Sequence, residues 1–296
     1  MCTISIAMAT YNGERYLREQ IDSILAQTIS FDELIICDDA STDRTCAIVS
    51  EYAAKDSRIK LYRNDCNLGF LKNFEKALSL CSADFIALSD QDDIWLPRHL
   101  EILLEGIGNK MLAVSDAEVV DSQGYTSGKL LSYYANLNWM PENDLQKAYY
   151  LFFYRCAYLG AAMLMKKDLI QKALPIPSTI KSHDLWLISL SCFYGGFNRI
   201  KESTMLYRRH SRNVTHVEKK KTRIRTFIGH LLFNRAIKNR PELISAIRTI
   251  LKTQLNQDQI EFLDNAENYY KRQNSLWGRI RNSMFEIKHY KLIYSK

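Results

Sequence analysis

The sequence predicts an α/β protein built on a mostly parallel sheet with helices on both faces. Three observations lead there. Short apolar runs alternate with stretches of helical periodicity from Thr3 to Val114. Acidic and polar residues gather directly after several of those runs. The composition is ordinary for a globular chain, with 47% hydrophobic and 25% charged residues among 296, a length that can bury a large core in one or two domains.

Thr3 to Ala9 reads as a buried strand, and Tyr11-Asn12-Gly13 as a turn in which Asn12 is a candidate helix cap. Leu17, Ile21, Ile24 and Leu25 then take helical spacing. Leu34 to Cys37 is a second strand ending in Asp38-Asp39. Ser41 or Thr42 is a candidate cap for the next helix, whose apolar face includes Ile48, Val49 and Tyr52. Ile59 to Tyr62 is a third strand, Asn67-Leu68-Gly69 a loop, and Phe70, Phe74, Ala77, Leu78 and Cys81 mark a helix. Phe85 to Leu88 is a fourth strand, which runs into Ser89-Asp90-Gln91-Asp92-Asp93-Ile94-Trp95. Pro97 suits the first turn of a helix, and Met111 to Val114 is a fifth strand. The near-apolar stretch Tyr149 to Met165 is interrupted by Arg155 and falls short of the roughly 20 residues needed to span a bilayer, so it reads as buried structure. After a break at Pro241, Leu243 to Leu251 and Gln259 to Tyr270 are further helices.

Several function classes are disfavoured at once. No G-x-G-x-x-G follows the first strand and no G-x-x-x-x-G-K-[ST] occurs, which argues against a dinucleotide dehydrogenase and a P-loop NTPase. Seven cysteines without a C-x-x-C pair argue for a reducing compartment and against a disulfide scaffold or zinc ribbon. No charged-then-apolar leader is seen, so no secretory signal is expected. The net charge is +7, but residues 217–296 hold 17 Lys+Arg against 7 Asp+Glu, which leaves the first 216 residues at −3. Nucleic acid and an anionic membrane are both candidate partners for such a tail.

In a parallel sheet, ligands bind where strand C-terminal ends meet the loops. Thr10-Tyr11-Asn12, Asp38-Asp39 and Asp90-Gln91-Asp92-Asp93 fall on one such rim. Crowded carboxylates repel unless something neutralises them. Mg²⁺ or Mn²⁺ takes one or two carboxylates and completes its shell with phosphate oxygens and water, so the cluster suits a cation that grips a diphosphate leaving group. The simpler alternative is that Asp92 or Asp93 caps the following helix and the others are solvated.

ISIAMATYNGERYLREQIDSILAQT, LIICDDASTD, NLGFLKNFEKAL, ADFIALSDQDDIW, SHDLWLISLSCFYGG and LYRRHSRNV, in that order over about residues 3–216, resemble glycosyltransferase family 2 and its GT-A fold. The likeness is greatest to bacterial rhamnosyltransferase-like members that build O-antigen and capsule polysaccharide. It implies that Ala9, Thr10, Tyr11 and Asp39 contact the nucleotide, and that Asp38 supports the loop or the ribose. Asn67, Lys72 and Asn73 would line the donor pocket. Asp92 of Asp90-Gln91-Asp92 would ligate Mn²⁺ or Mg²⁺, Asp90 would reach the ribose or a metal-bound water, and Asp93 would cap a helix. Asp184 would be the general base of an inverting transfer, with His183 as an orienting neighbour; its alternative role is helix capping. Trp186 is either an aromatic platform for the acceptor sugar or core packing. Gly160, in Leu159-Gly160-Ala161-Ala162-Met163, either borders the acceptor or lets helices pack closely. His210 would approach the metal or diphosphate, and Arg209 would add positive charge to the diphosphate.

The expected division is a catalytic domain over 1–216 and a basic helical extension over 217–296. In the extension, Lys219-Lys220-Lys221-Thr222-Arg223-Ile224-Arg225 precedes Phe227, Ile228, Leu231 and Leu232. That stretch suits either an anionic membrane surface or a solvated helix. The implied partners are a UDP- or dTDP-linked sugar and a lipid-diphosphate-linked saccharide acceptor, at the cytoplasmic face of a bacterial plasma membrane. Two other classes remain. A sugar nucleotidyltransferase would normally carry a Gly- and Arg/Lys-rich phosphate loop after the first strand, where only Arg15 is found. A nucleic-acid-binding module would use the basic tail, but the acidic first 216 residues oppose it as the main activity.

Overall fold

Four parallel strands form the first half of a nine-stranded sheet. They are β1 (Ile4–Thr10), β2 (Glu33–Asp38), β3 (Ile59–Arg63) and β4 (Phe85–Ser89). The computed structural model describes residues 2–135, 141–153, 158–211, 240–272 and 275–289. Between these strands run α1 (Leu17–Leu25), α2 (Thr45–Ala53) and α3 (Phe70–Leu80). The runs ISIAMA and LIIC are apolar without alternation because both sheet faces are covered.

The second half of the sheet is mixed. It comprises β5 (Ile94–Trp95), β6 (Leu112–Val120), β7 (Thr126–Leu130), β8 (Met163–Lys166) and β9 (Phe197–Arg208). The strand order is β3-β2-β1-β4-β8-β6-β9-β5, with β7 on β6. β8 is antiparallel to both β4 and β6, and β9 is parallel to β6. Two reversals cancel, so β9 points the same way as β1, β2 and β4. The residues after Arg208 therefore emerge on the rim that carries the ends of the early strands.

The remaining helices are α4 (His99–Ile107), α5 (Leu131–Ala135), α6 (Asp144–Phe153), α7 (Lys167–Ala173) and α8 (His183–Phe193), with a 3₁₀ turn at Gly160–Ala162. Three more lie towards the C-terminus: α9 (Arg240–Ile250), α10 (Gln257–Arg272) and α11 (Leu276–Lys288). Leu243, Ile247, Phe262 and Leu263 are buried in the same core as the sheet. The Phe262 ring meets Phe152 edge-on at 5.5 Å. The basic stretch at 219–232 lies outside the described residues. No described helix is long and apolar enough to cross a membrane.

Capping differs from expectation. Helix α1 starts at Leu17 without a side-chain cap. Asn12 instead adopts φ 48° and accepts from the Thr42 amide at 2.9 Å, which ties two rim loops together. Helix α2 starts at Thr45, and Ser41 bonds Asp38 and the Asn12 amide rather than capping it.

One buried carboxylate braces the early strands. Glu33 accepts from Ser5 Oγ and the Ser82 amide, each at 2.7 Å, and from Lys60 Nζ at 2.9 Å. Burial pushes its pKa up, but the bonds from Lys60, Ser5 and Ser82 outweigh that and hold it at about 2, below the ordinary 4.5. The charged form is thus favoured by folding. That stabilisation is complete above about pH 4.5 and fades as pH falls towards 2. Glu33→Gln should lose about 1–3 kcal/mol at pH 7, a deficit that narrows below pH 4.5 in urea titrations. An equal deficit at pH 7 and pH 3 would contradict this account.

Candidate functional site

A cleft of about 1240 Å³ opens on the rim. Ala9, Thr10, Tyr11, Asp39, Asn67, Asn73, Asp90, Gln91, Asp92, Gly160, His183, Asp184 and His210 all border it. The rim loops are heavily cross-bonded. Asp38 is fully buried below them, accepting from the Ser41 amide at 2.9 Å and Thr10 Oγ1 at 3.0 Å. It holds the loop and does not line the cleft. Asp39 accepts from the Leu68 and Gly69 amides at 2.7 and 2.9 Å and from Asn64 Nδ2 at 2.9 Å. Asn64 also donates to Asn73 Oδ1, and Asn73 Nδ2 donates to the Cys37 carbonyl at 2.8 Å. The loop Asn67–Gly69 is thereby fixed over the end of β2, with Asn67 Nδ2 donating to the Asp39 carbonyl.

The acidic loop after β4 is electrostatically crowded. Burial first, then the charges of Asp92 and Asp184, push Asp90 up to about 7. Asp92 Oδ2 lies 2.7 Å from His210 Nε2, which joins the ends of β4 and β9. Asp93 is buried and accepts the Arg208 amide at 3.0 Å. It is a strand-to-strand anchor, not the expected helix cap, because α4 begins only at His99. Burial, then its acidic neighbours Asp92 and Asp90, raises it well above the usual carboxylate range.

The buried cation described at this end is Arg208, whereas positive charge was expected from Arg209. Arg208 Nε donates to the Asp92 carbonyl at 3.0 Å, and Nη2 pairs with Glu19 at 2.5 Å. Its guanidinium sits 4.8 Å from the Tyr16 ring centre, and the same ring stacks on His210 at 5.1 Å. Arg209 faces outward, 5.9 Å over the Tyr134 ring, and does not border the cleft. Arg208 ends β9 and Arg209 lies just beyond it, and their opposite directions are not registered by a motif match.

Asp184 stands in the first turn of α8. Its Oδ1 accepts the Leu185 amide at 2.7 Å and bonds the hydroxyl of Ser182, the residue that caps the helix. Asp184 is thus held by the cap rather than being the cap. His183 is buried, stacked on Phe74 at 4.1 Å, and burial lowers its pKa. Its Nδ1 has no partner among the described residues. A Cβ on Gly160 would come within 2.9 Å of His183 Nε2, so the small residue there makes room for the imidazole.

Of the two roles open to Trp186 the structure takes the second, and the expectation for Lys72 is corrected. Trp186 is fully buried and donates Nε1–H to the Ala173 carbonyl at 3.0 Å, so it is core and offers no face to a sugar. Trp186→Ala should therefore cost about 3–5 kcal/mol of stability. Lowered kcat in a variant of unchanged melting temperature would argue otherwise. Lys72 pairs with Glu75 at 2.9 Å and borders a separate shallow depression with Leu174 and Pro175. The exposed aromatics within the cleft are Tyr11 (49% exposed) and Phe70 (43%).

The donor set suits a two-ligand cation site. Among the described residues no group of three His, Cys, Asp or Glu side chains closes on one point. Asp92 and His210 converge, and the like charges of Asp90 and Asp184 nearby favour a cation. Mg²⁺ and Mn²⁺ accept such a set when diphosphate and water complete the shell.

A mixed α/β sheet with an acidic, cross-braced cleft at its strand ends is the architecture of a GT-A glycosyltransferase. The model of Glycosyl transferase family 2 matches residues 5–172, more than half of the sequence, and the chain belongs to that family. The putative glycosyltransferase EpsE of Bacillus subtilis is 48% identical over 99 residues, which are 33% of this chain and 36% of EpsE. The Escherichia coli UDP-Glc:alpha-D-GlcNAc-diphosphoundecaprenol beta-1,3-glucosyltransferase WfgD is 42% identical over 99 residues, 33% of this chain and 38% of WfgD. Each match spans little more than a third of the relative. Among solved structures, S. aureus TarS 1-349 in complex with UDP-GlcNAc superposes with a TM-score of 0.55 at 15% identity, covering 99% of this chain and 93% of that one. A Pyrobaculum calidifontis mannosyltransferase in complex with GDP-Man and Mn²⁺ gives 0.54 at 14%, covering 96% and 88%. These likenesses show the fold.

Proposed function

We propose that the chain transfers a hexose, with inversion, from a UDP- or dTDP-linked donor to a lipid-diphosphate-linked saccharide during surface polysaccharide assembly. The observation that carries the reading is the gathering of Asp39, Asp90, Asp92, His210 and Asp184 around one cleft, from four separate strand or helix ends. The name of WfgD, which specifies a diphosphoundecaprenol-linked acceptor, supports the acceptor class. The basic balance of residues 217–296 fits work at the inner face of a bacterial plasma membrane.

Asp39 and the loop it fixes take the base and ribose, with Ala9, Thr10, Tyr11, Asn67 and Asn73 forming the wall. Asp92 and His210 hold Mn²⁺ or Mg²⁺, with Asp90 beside them. When bound, that cation stabilises the negative charge of the departing diphosphate. Asp184 accepts the proton of the acceptor hydroxyl as its oxygen attacks the anomeric carbon. The bond from that carbon to the diphosphate oxygen breaks on the opposite face, so configuration inverts and no glycosyl-enzyme forms. His183, buried with its pKa lowered, stays neutral and orients the helix start rather than sharing the proton.

The test is a panel of nucleotide sugars with MnCl₂ or MgCl₂, scored for released nucleoside diphosphate with and without a lipid-diphosphate GlcNAc acceptor. Release that depends on both cation and acceptor is expected. Transfer at full rate in excess EDTA would remove the cation from the reaction. Use of a soluble acceptor alone would remove the lipid.

A further inference from the structure

We propose that Gln91 is a positioning residue that locks the nucleotide-side loop to the cation-side loop, and that position 13 is a glycine because the Gln91 amide occupies the place of its side chain. The functional consequence rests on the donor reading of the cleft; the lock itself rests on geometry. Gln91 Oε1 accepts the Tyr11 amide at 2.9 Å, and its Nε2 donates to the Tyr11 carbonyl at 3.1 Å. One side chain thus pairs with both main-chain groups of one residue, as a neighbouring strand would. The pairing joins the loop after β1 to the loop after β4, between the two carboxylates Asp90 and Asp92.

The glycine records how close this approach is. A Cβ on Gly13 would lie 2.2 Å from Gln91 Oε1 and 2.6 Å from its Cδ. The main chain of Gly13 needs no special freedom, since φ is positive at Asn12 instead. The restriction is therefore steric, imposed by Gln91. On the other side the same loop is tied to the segment after β2: the Asn12 amide to Ser41 Oγ, the Gly13 amide to Thr45 Oγ1, each at 2.8 Å, and the Thr42 amide to Asn12 Oδ1. Gln91 supplies the matching tie towards β4. Without it, repulsion within the acidic loop has no restraint of this kind against the wall that receives the nucleotide.

Chemistry restricts the choice of residue. Only a side chain with an acceptor and a donor on one rigid group makes both bonds. Glutamate keeps the length but cannot donate to the Tyr11 carbonyl, and it adds negative charge between Asp90 and Asp92.

The experiment uses the full chain with Gln91→Ala, Gln91→Glu, Gly13→Ala and the double variant Gln91→Ala/Gly13→Ala. Without ligand, hydrogen exchange of the peptide carrying the Tyr11 amide should accelerate in Gln91→Ala, which removes the acceptor, and stay near wild type in Gln91→Glu, which keeps it, with melting temperatures close to wild type in both. UDP, dTDP and GDP are then titrated in MnCl₂ by calorimetry. The dissociation constant of the tightest wild-type ligand should rise about tenfold in Gln91→Ala and in Gly13→Ala. In the double variant it should rise little beyond either single change, because the added methyl no longer meets an amide. Unchanged exchange at Tyr11 in Gln91→Ala, or multiplying effects in the double variant, overturns the lock. A wild type that binds while Gln91→Ala binds equally well defeats the positioning role alone. A wild type that binds none of the three defeats the donor reading and the positioning role with it.

Discussion

Asp184→Asn is expected to lower kcat by about 10²–10⁴, the range that a lost general base costs, while nucleotide affinity in Mn²⁺ stays within twofold of wild type. The substitution keeps the shape of the side chain, and its amide oxygen can still accept the Leu185 amide now held at 2.7 Å. The helix start is preserved and the proton acceptor is lost. The pattern to look for is a fall in kcat with little change in the donor KM, since the group acts on the acceptor hydroxyl in the transition state. Normal transfer by this variant would assign the base elsewhere. His183 is buried against Phe74, and the other imidazole that borders the cleft, His210, is paired with Asp92. Loss of nucleotide binding together with transfer would mean instead that Asp184 belongs to the donor side.

Asp92→Ala is expected to abolish the cation dependence of donor binding and to lower kcat/KM on the order of 10²-fold or more. The variant removes one of the two side chains proposed to hold the cation and leaves His210 stacked on Tyr16. His210→Ala should do the same less severely, because a neutral imidazole contributes less charge to the cation than a carboxylate does. The measurement is nucleoside diphosphate affinity as a function of MnCl₂. Equal affinity with and without the ion in wild type, or an unchanged ion response in Asp92→Ala, would place the cation elsewhere or remove it.

The first half of the fold was legible because β1, β2 and β4 are near-continuous apolar runs and each helix carries its own 3.6-residue stripe. In the second half the strand at Met111–Val114 and the helices at Leu243–Leu251 and Gln259–Tyr270 were legible, but two strands were not, for physical reasons. Met163–Lys166 is a short apolar strand inside a longer apolar stretch, and period alone does not separate that from a buried helix. Phe197–Arg208 carries Asn198, Arg199, Lys201 and Glu202 with no clean alternation, so one of the longest strands left no signature of its own.

The site shows the same division. Asp39, Asp90 and Asp92 follow apolar strands and were readable as a rim. The bond between Asp92 and His210 spans 118 positions, and no local pattern reports it; the family resemblance supplied that pairing. The errors are errors of facing. Lys72 precedes Asn73 on a helix, where neighbours point roughly 100° apart: Asn73 turns to the Cys37 carbonyl and Lys72 to Glu75. Arg208, the last residue of β9, turns to Glu19 and the Asp92 carbonyl, while Arg209 turns outward to Tyr134. Trp186 sits two residues past Asp184, far enough round the helix to leave the cleft for the core.

The position of β9 also constrains the order in which the chain can become competent during synthesis. β5 pairs with β9, and that partner begins at Phe197, about a hundred residues downstream. A ribosome that has delivered everything up to α8 has made the residues proposed to form the nucleotide wall and to accept the proton, yet Ile94 and Trp95 still wait for a neighbour and His210 has not been translated. On the proposed roles, a product that ends after α8 would carry the residues assigned to the nucleotide and to the proton but lack the His210 partner of Asp92.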